Sequence, residues 1–414
     1  MMKFSSAADA VDITAQFRRL EAKLDEALFQ LDFITSHLSS YIGSQTALTY
    51  LADGTPIYVN SNDFGPPANF VAGGLYEVDN LETLFSFVHC DSVFLDIGAN
   101  LGFFSLNLAR RLPFGRVHAF EPHPQLARLA RASAYLNGFS QLHGTADARI
   151  VVHQLGLGEQ NGEVTFSYPQ DHLGGGTQGA GSGQQIKAEL HRLDDLMPDS
   201  LICDIVKIDV EGHELGVLRG MRGTLARSPN AVVLFEKLER GAGNEAPLEA
   251  YFEKLGFHLF GIDPGPVLRP LQKDTLADYS GYVLAHRDPD LRRSRSFFRI
   301  YPRQFVTQAA TLQRQERDLL EATGGDREIL FYGPYWRLRR GVYRIKLGGE
   351  IDGDVALTVA ARFGFPVATL SLSAAYKSAE FICERDLQYF EIVARAKGGP
   401  ASVALNWVEL ERIG

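Results

Sequence analysis

Cysteine is scarce in this chain of 414 residues, which contains only Cys90, Cys203 and Cys383. Three widely separated cysteines form neither a disulfide framework nor a zinc-binding spacing, and this is typical of a reducing compartment. No apolar run approaches the roughly 18 residues that cross a bilayer, so we expect no membrane span. The first residues lack a basic stretch followed by an apolar one. We therefore expect no secretory signal and a cytoplasmic location.

An excess of basic residues is also missing, because 41 lysines and arginines face 50 acidic residues, giving a net charge of −9. A general nucleic-acid-binding protein normally carries the opposite excess, so we expect no nucleic-acid partner. Hydrophobic residues make up 45% and charged residues 22% of the chain. This balance is typical of a globular protein, and the length predicts two or three domains.

The N-terminal segment, residues 1–45, has a helical hydrophobic period. Its apolar residues follow one another in steps of four and three: Ile13, Phe17, Leu20, Leu24, Ala27, Leu31, Ile34, Leu38 and Tyr41. This seam predicts a coiled coil of about four heptads, through which the protein would form a homo-oligomer. An amphipathic helix that lies on its own domain fits the same spacing.

The segment 46–288 contains short apolar strands that alternate with helical stretches. The predicted strands cover residues 92–98, 116–122, 148–158, 204–210 and 231–237, and helices are predicted at 103–112 and 125–138. Strand, helix and strand in repeated order predict an α/β domain with a Rossmann-like, doubly wound parallel sheet.

Beyond residue 288 the pattern changes twice. Residues 289–327 contain several arginines and a stretch, 307–322, that we predict to be helical, so we interpret this segment as a helical linker. Residues 328–414 contain about seven short apolar runs separated by turn residues, which predict a jelly-roll-like antiparallel β-sandwich. Tyr332, Tyr335 and Trp336 are either sugar-stacking residues or part of its core. Arg337, Arg339 and Arg340 would contact an acidic glycan or simply be solvated.

The turn Asp96-Ile-Gly98-Ala-Asn100-Leu-Gly102 lies between a predicted strand and a predicted helix. Glycines in such a turn permit a tight bend and a close approach of a ligand to the backbone. The next strand ends in Glu121, where a carboxylate can accept hydrogen bonds from both ribose hydroxyls of an adenosine. Asp96 would repel a diphosphate but can accept a hydrogen bond from an ammonium group, which favours S-adenosylmethionine over a dinucleotide.

A second set of polar residues follows the fourth predicted strand. Asp209, Glu211, His213 and Glu214 lie in one turn between strand and helix, and Glu236 lies at the end of the next strand. Ligands of open parallel sheets bind at the carboxyl edge, where these residues should meet. N-capping of the following helix is the alternative role of Asp209 and Glu211, and packing is the alternative role of His213.

These motifs together resemble the FkbM family of S-adenosylmethionine-dependent methyltransferases. The resemblance covers roughly residues 70–265 and rests on the turn from Asp96 to Gly102, on Phe120-Glu121-Pro122, on Asn137-Gly138, on residues 193–196 and on the run from Lys207 to Glu214. It implies a class I methyltransferase that methylates hydroxyl oxygens, often on sugars or polyketides. The cofactor contacts that we predict are Asp96, Gly98, Asn100, Gly102, Glu121, Pro122, Asn137, Gly156, Leu157 and Asp209.

Methyl transfer to a sugar hydroxyl needs a base, because an unactivated hydroxyl is a poor nucleophile at neutral pH. The candidates are Asp209, Glu211, His213 and Glu236. His213 has the most suitable ordinary pKa, which a position at a helix start would lower. A divalent metal on Asp209 and Glu236 is possible but not favoured, because no linear spacing of ligands indicates one.

The glycine-rich run 174–183 lacks the ending of a phosphate-binding loop. It would either close over the acceptor, with His172 beside it as a further base, or form an unstructured surface loop.

We therefore predict an O-methyltransferase acting on a sugar, glycan or glycolipid precursor. The alternatives are an O-methyltransferase of a polyketide or macrolide, a non-catalytic glycan-binding protein on the same scaffold, and a nicotinamide oxidoreductase. Asp96 and the turn at 209–214 disfavour the last of these.

Overall fold

A computed structural model describes Lys23 and most of the chain from residue 39 to residue 413. The described ranges are 39–63, 65–74, 76–89, 91–140, 148–169, 173–179, 183–237, 245–264, 267–272, 279–289, 291, 297–302, 305, 310–315, 317–361, 365–385 and 387–413. The predicted coiled coil lies almost entirely outside these residues, so it stays a prediction.

The first described elements form a small sheet followed by two helices. The strands are β1 (Ser40–Gly43), β2 (Thr46–Tyr50) and β3 (Pro56–Asn60), and the helices are α1 (Pro66–Gly73) and α2 (Val78–Phe85). Tyr41, the last residue of the predicted helical seam, lies in β1, so the expectation of helix up to residue 45 is wrong. Residues 44 and 45 have positive φ angles, which form the tight turn that joins β1 to β2.

The next segment contains strands and helices in alternation. They are β4 (Val93–Ile97), α3 (Phe103–Ala109), β5 (Arg116–Phe120), α4 (Pro124–Leu136), β6 (Ile150–His153), β7 (Gly156–Leu157), β8 (Gly162–Tyr168), β9 (Thr177–Gln178), β10 (Gln184–His191), α5 (Leu193–Leu196), β11 (Ile205–Ile208), α6 (Glu214–Gly220), α7 (Arg222–Arg227), β12 (Val232–Lys237), α8 (Glu245–Lys254), β13 (His258–Asp263), β14 (Val267–Pro270) and β15 (Gly281–His286). All predicted strands and helices of this segment are present, but the strand predicted at 148–158 is divided into β6 and β7.

Eight of these strands form one sheet in the order β14-β13-β15-β12-β11-β4-β5-β6. Five neighbouring strands in this order, β12, β11, β4, β5 and β6, are parallel to one another. β15 is antiparallel to both of its neighbours, β12 and β13. The prediction of a parallel sheet is thus correct for five strands and wrong for the edge beyond β12. The chain order reverses between β4 and β11, and a ligand crevice is expected at the carboxyl ends of these two strands.

Both faces of this sheet are buried. Alternate residues of each strand point to opposite faces, so Phe94 belongs to one apolar core and Leu95 to the other. The helices α1 to α4 pack on the first face, and α6 to α8 pack on the second. The result is a three-layer α/β/α arrangement in which the sheet edge, rather than its faces, is accessible to ligands.

A four-stranded sheet in the order β7-β10-β8-β9 is inserted between β6 and β11. Residues 173–179 of the glycine-rich region pack back onto β8, where a Cβ added at Gly176 would lie 2.0 Å from the ring of Tyr168. The described part of this region is therefore packed against the protein. His172 and residues 180–182 lie outside the described residues.

The rest of the chain is built of strands. They are β16 (Phe297–Ile300), β17 (Ala310–Gln315), β18 (Arg317–Gly324), β19 (Ile329–Leu338), β20 (Gly341–Asp352), β21 (Asp354–Ala361), β22 (Phe365–Ser373), β23 (Ser378–Cys383), β24 (Leu387–Ala396) and β25 (Ala401–Arg412). They form two antiparallel sheets, of six and four strands, whose buried side chains share one apolar core. The seven strands predicted from residue 328 onward are present as β19 to β25.

The helix predicted at 307–322 is wrong, because the described residues of this stretch form the paired strands β17 and β18. β18 pairs with β25, and the side chains of Leu320 and Ala322 are buried in the shared core of the two sheets. The segment described earlier as a helical linker thus contributes strands to the C-terminal sheets.

Ionic and aromatic contacts join the C-terminal sheets to α2. Arg339, which follows β19, pairs with Asp79 at an N–O distance of 2.7 Å and also pairs with Glu82. The buried guanidinium of Arg111 lies 3.4 Å from the ring centroid of Phe85 and 4.1 Å from that of Trp336. Arg339, which we considered as a glycan contact, therefore serves this contact between the two parts of the chain.

Within the described residues, no helix has the length and apolar character needed to cross a membrane.

Candidate functional site

A crevice lies at the carboxyl ends of β4, β5 and β11, where the chain order reverses. It encloses about 100 Å³, and the residues lining it are Pro66, Tyr76, Ile97, Gly98, Asn100, Phe120, Glu121, Pro122, Gly156, Leu157, Phe166, Tyr168, Gly174, Gly176, Leu190, Asp209, Val210, Glu211 and His213. Nine of the predicted site residues are among them: Gly98, Asn100, Glu121, Pro122, Gly156, Leu157, Asp209, Glu211 and His213.

The glycine turn after β4 packs closely against the turn after β11. Gly98 has a φ of 77°, and a Cβ at this position would lie only 1.8 Å from the carbonyl oxygen of Asp209. Asn100 also has a positive φ, of 52°. A glycine is thus required at position 98 because the backbone of Asp209 leaves no space for a side chain. This close approach brings the glycine turn and Asp209 together.

Gly98→Ala should therefore cost more than about 2 kcal/mol of stability, because it adds a backbone clash to an unfavourable φ. Gly138→Ala is the matched control. Gly138 has a φ of 71° but open space around it, so its substitution carries the strain without the clash. Thermal unfolding should show a clearly larger decrease in midpoint for Gly98→Ala, and equal decreases would contradict the close approach.

Asp96 lies beneath the turn and does not line the crevice. One of its carboxylate oxygens accepts hydrogen bonds from the backbone N–H and the hydroxyl of Ser105, at 3.1 and 2.6 Å. Asp96 thereby fixes the first turn of α3, a role that we did not predict for it. Its other oxygen is buried and has no hydrogen-bond partner among the described residues. Burial raises the pKa of Asp96, although Lys207 opposes this effect.

Glu121 is buried at the end of β5 and connects two backbone segments. Its carboxylate accepts hydrogen bonds from the N–H of Asn100 and from the N–H of His123, both at 2.8 Å. Burial raises the pKa of Glu121 to about 7. A carboxylate in this position can accept further hydrogen bonds from ligand hydroxyls, because each oxygen has a second lone pair.

A buried ion pair lies on the β11 side of the crevice. The ammonium of Lys207 donates to Asp209 at 2.9 Å and to the carbonyl of Gly98 at 3.2 Å. Burial alone would lower the pKa of Lys207, but the charges of Asp209, Asp96 and Glu77 raise it. Burial would likewise raise the pKa of Asp209, but Lys207 keeps this pKa below its ordinary value. Lys207 and Asp209 are therefore both charged at neutral pH.

Further acidic and phenolic groups surround Asp209. The hydroxyl of Tyr282 lies 2.9 Å from Asp209 and 3.1 Å from Glu77. The carboxyl of Glu236 is close enough to hydrogen-bond Asp209. Burial and the charges of neighbouring carboxylates, with Asp209 first, raise the pKa of Glu236 to about 8. Glu236 and Asp209 are therefore a carboxyl pair that shares one proton at neutral pH.

His213 lines the crevice as the residue before α6. It makes no capping hydrogen bond through its side chain, and burial lowers its pKa, so the imidazole is neutral at pH 7. Its lowered pKa was expected, but burial rather than the helix end is the cause. Glu214 accepts hydrogen bonds from the N–H groups of Val210 and Gly212. Neither Asp209 nor Glu211 caps α6, which leaves the capping alternative without support.

The inserted sheet covers the crevice. Phe166, Tyr168 and Leu190 come from β8 and β10, and Gly174 and Gly176 come from the glycine-rich region. The described part of this region thus lines the crevice, and its closure over the acceptor stays a prediction.

Besides Asp96, two predicted cofactor contacts do not line the crevice. Asn137 ends α4 at the opposite edge of the sheet, where its amide donates to the carbonyls of Pro56 and Ser133. Its assignment to the cofactor site is wrong, because a residue at the C-terminal end of this helix is remote from the carboxyl ends of the strands. Gly102 precedes α3 with a φ of 82° and does not line the crevice.

Among the polar residues on the β11 side of this site, sequence reasoning missed Tyr76, Glu77, Lys207 and Tyr282. Lys207 is part of the motif that ends in Glu214 and could have been found there. Tyr76, Glu77 and Tyr282 are distant in sequence from every motif, so no local signal marks them.

Within the part of the chain that the structure describes, no group of three or more histidine, cysteine, aspartate or glutamate side chains is arranged to hold a metal ion.

Comparison with known proteins agrees with the sequence motifs. Residues 96–259 match the model of the Methyltransferase FkbM domain. This range begins at Asp96 and includes the glycine turn, Glu121, Asp209 and Glu236.

Several curated relatives are methyltransferases by name. Methyltransferase 1 of Beauveria bassiana is 27% identical over 32% of this chain and 59% of its own length. The hexuronic acid methyltransferase AglP of Haloferax volcanii is 26% identical over 38% of this chain and 61% of its own length. Among solved structures, the O-methyltransferase TomG of Streptomyces achromogenes is 17% identical, with 50% of this chain and 78% of that chain covered and a TM-score of 0.29.

The chain thus spans about three fifths of the length of these two curated relatives. Residues 96–259 are thus similar to the methyltransferase domain of the FkbM type.

Proposed function

We propose that this protein is an S-adenosylmethionine-dependent O-methyltransferase that methylates a hydroxyl of a sugar, glycan or glycolipid precursor. The observation that carries the proposal is the pairing of Asp209 with Glu236 beside a crevice formed by a glycine turn and Glu121. These groups provide a place for an adenosine, attraction for a cation and a proton acceptor at one sheet edge.

The residues present fit this cofactor. When bound, S-adenosylmethionine supplies a methyl group on a positively charged sulfur. Glu121 would accept hydrogen bonds from the ribose hydroxyls, and the backbone of Gly98 and Asn100 would lie along the amino-acid end. Asp209 and Glu211 place negative charge in the crevice, which favours a cation there. Positioning of donor and acceptor accounts for much of the rate acceleration in such transfers.

Asp209 and Glu236 are the proposed general base. A hydroxyl that hydrogen-bonds this carboxyl pair can lose its proton as the new bond to carbon forms. The pair that has lost its shared proton is the acceptor form, because both carboxyls are then ionised. His213 lies in the same crevice and is neutral, so it is the second candidate for this role.

The acceptor is proposed to present a neutral group at the reacting end. Among the described residues, Lys207 is the cation close to four acidic side chains: Asp209, Glu211, Glu236 and Glu77. A carboxylate on the acceptor would therefore be repelled here. A hydroxyl suits this environment. The name of AglP, a hexuronic acid methyltransferase, supports a sugar acceptor. We also interpret the two C-terminal sheets as a β-sandwich that binds carbohydrate.

Transfer of a labelled methyl group from S-adenosylmethionine to a panel of acceptors tests this function. The panel contains nucleotide sugars, oligosaccharides and macrolides, and we expect label on a sugar oxygen. Label only on a macrolide would instead indicate polyketide methylation. Binding of S-adenosylmethionine without transfer to any acceptor would favour a non-catalytic binding protein.

The rate should depend on pH through the carboxyl pair. Because Glu236 has a raised pKa of about 8, the pair holds its proton at pH 6 and loses it as pH rises. The acceptor form therefore gains population, and kcat should increase between about pH 6 and 9. A bound cation favours the ionised form, so the midpoint with cofactor bound should lie below 8.

The same titration has a direct readout. S-adenosylmethionine binding at pH 7.5 should release a fraction of a proton, measured by calorimetry in buffers of different ionisation enthalpy. Glu236→Gln should reduce this release, leaving the part that comes from Glu121, and should flatten the pH profile of kcat. An undiminished release in Glu236→Gln would remove Glu236 from the proposed base.

A further inference from the structure

A second cavity lies at the opposite edge of the central sheet. Its volume is about 440 Å³, within the range of small-molecule sites. It is lined by residues from the turn before β3, the ends of α3 and α4, the segment before β6, and β19: Gly54, Thr55, Pro56, Arg110, Pro113, Asn137, Phe139, Arg149, Pro334 and Trp336. The five residues of β5, at about 3.3 Å each, separate this edge from the crevice.

Two arginines line this cavity, Arg110 and Arg149, and no acidic side chain is among the described residues that line it. Arg110 pairs with Asp53 behind the lining, at 3.0 Å, and Arg149 donates to the carbonyl of Ala109 at 3.3 Å. These contacts fix the two side chains at the cavity wall. In a chain of net charge −9, this concentration of arginine favours an anionic ligand, and guanidinium groups match carboxylates in shape.

The same wall has an aromatic part. Phe139 is partly buried at the cavity wall, and the guanidinium of Arg149 lies 5.3 Å from its ring centroid. Trp336 borders the cavity but is only 2% exposed, because it belongs to the apolar core of the C-terminal sheets. Aromatic rings contribute a large apolar surface against which the C–H face of a sugar ring can pack. Arginine and an aromatic ring side by side thus suit a ligand with an apolar ring face and a negative substituent.

The cavity also lies where two parts of the chain meet. Trp336 belongs to the C-terminal sheets, whereas the other aromatic residue and both arginines belong to the methyltransferase part. Two contacts hold the parts together beside the cavity. Arg111 lies against the ring of Trp336, and Arg339 pairs with Asp79 of α2. A ligand in the cavity would therefore contact both parts at once.

We propose that this cavity binds an acidic saccharide, a sugar chain that carries carboxylate groups. Arg110 and Arg149 bind the carboxylate, Phe139 packs against the ring, and Trp336 lies at the wall as a reporter of the bound ligand. The inference goes beyond the proposed function, because this binding requires neither cofactor nor methyl transfer and would remain if the acceptor were of another class.

The test is calorimetric titration of the full chain, without S-adenosylmethionine, with trigalacturonate and with neutral cellotriose. We expect trigalacturonate to bind at least 10-fold more tightly than cellotriose, and Arg149→Gln to weaken it about 10-fold or more. Arg344→Gln is the matched control, because Arg344 is an exposed arginine that pairs with Glu380 and Glu411 away from the cavity. It should leave the affinity unchanged.

Fluorescence gives a readout that does not depend on the arginine variants. The chain has two tryptophans, Trp336 and Trp407, so Trp407→Phe leaves Trp336 as the only tryptophan. Trigalacturonate should change its emission, and inorganic phosphate should compete. Equal binding of the acidic and neutral saccharides, unchanged affinity in Arg149→Gln, or an unchanged Trp336 spectrum at saturation would each overturn the proposal.

Discussion

Asp209→Asn should reduce the rate of methyl transfer by about 10²- to 10⁴-fold, the range typical of a lost general base. The substitution keeps the shape of the side chain but removes the negative charge that Lys207 and Tyr282 contact. It also removes one member of the carboxyl pair with Glu236. The measurement is kcat with labelled S-adenosylmethionine and the best acceptor found.

Asp195→Asn is the control for this prediction. Asp195 is a partly exposed aspartate on α5 that accepts a hydrogen bond from Asn161 and lies 3.7 Å from Arg192. It should retain the activity of the unmodified protein. Because Asp209→Asn leaves the buried Lys207 without its main partner, stability is measured in parallel. A folded Asp209→Asn protein with near-normal kcat would exclude Asp209 from the base and leave His213 as the candidate.

Glu121→Ala should weaken the binding of S-adenosylmethionine by about 10- to 100-fold, the effect expected when hydrogen bonds to a charged group are lost. Both carboxylate oxygens of Glu121 also fix the backbone, at Asn100 and at His123. The glycine turn therefore loses a support together with the ribose contact. Calorimetric titration with S-adenosylmethionine measures the change in Kd.

Glu163→Ala provides the comparison, because Glu163 is an exposed glutamate whose described partner is Lys187. Its Kd for S-adenosylmethionine should equal that of the unmodified protein. The pH dependence of stability gives a second readout. Burial raises the pKa of Glu121 to about 7, so its contribution to stability is present below pH 4.5 and lost as pH rises through 7. Glu121→Ala should lack this part of the pH dependence.

Much of the methyltransferase part could be predicted because its strands are buried on both faces. A run such as residues 232–235 is apolar throughout and buried, and this pattern is typical of a covered parallel strand. The turn at Gly98 could also be predicted from the sequence, because its positive φ and its close contact with the backbone of Asp209 require a glycine. β15 was not predicted. It lies between β12 and β13 in the sheet and is antiparallel to both, and no local sequence pattern indicates this placement.

The C-terminal part shows where local pattern fails. Residues 307–322 contain apolar residues at helix-compatible spacing, yet β18 pairs with β25 about 80 residues later. Leu320 and Ala322, two positions apart, are both buried, which is the period of a strand. Tertiary pairing overrides helix propensity here.

The site was found only in part for a related reason. Residues of the turns at 96–102 and 209–214 lie in continuous motifs, so their chemistry could be assigned from type and spacing. Glu77 and Tyr282 approach Asp209 from α2 and β15, and their role follows only from the folded sheet. Asn137 was misassigned because its motif stands near the others in sequence but at the far end of α4.

The carboxylates around Asp209 have a consequence for the catalytic cycle. They would attract the sulfonium of S-adenosylmethionine more strongly than the uncharged thioether that methyl transfer would leave. Lys207 alone then balances Asp209 again. The demethylated cofactor should consequently bind more weakly than S-adenosylmethionine. This difference in affinity would favour release of the product after each turnover.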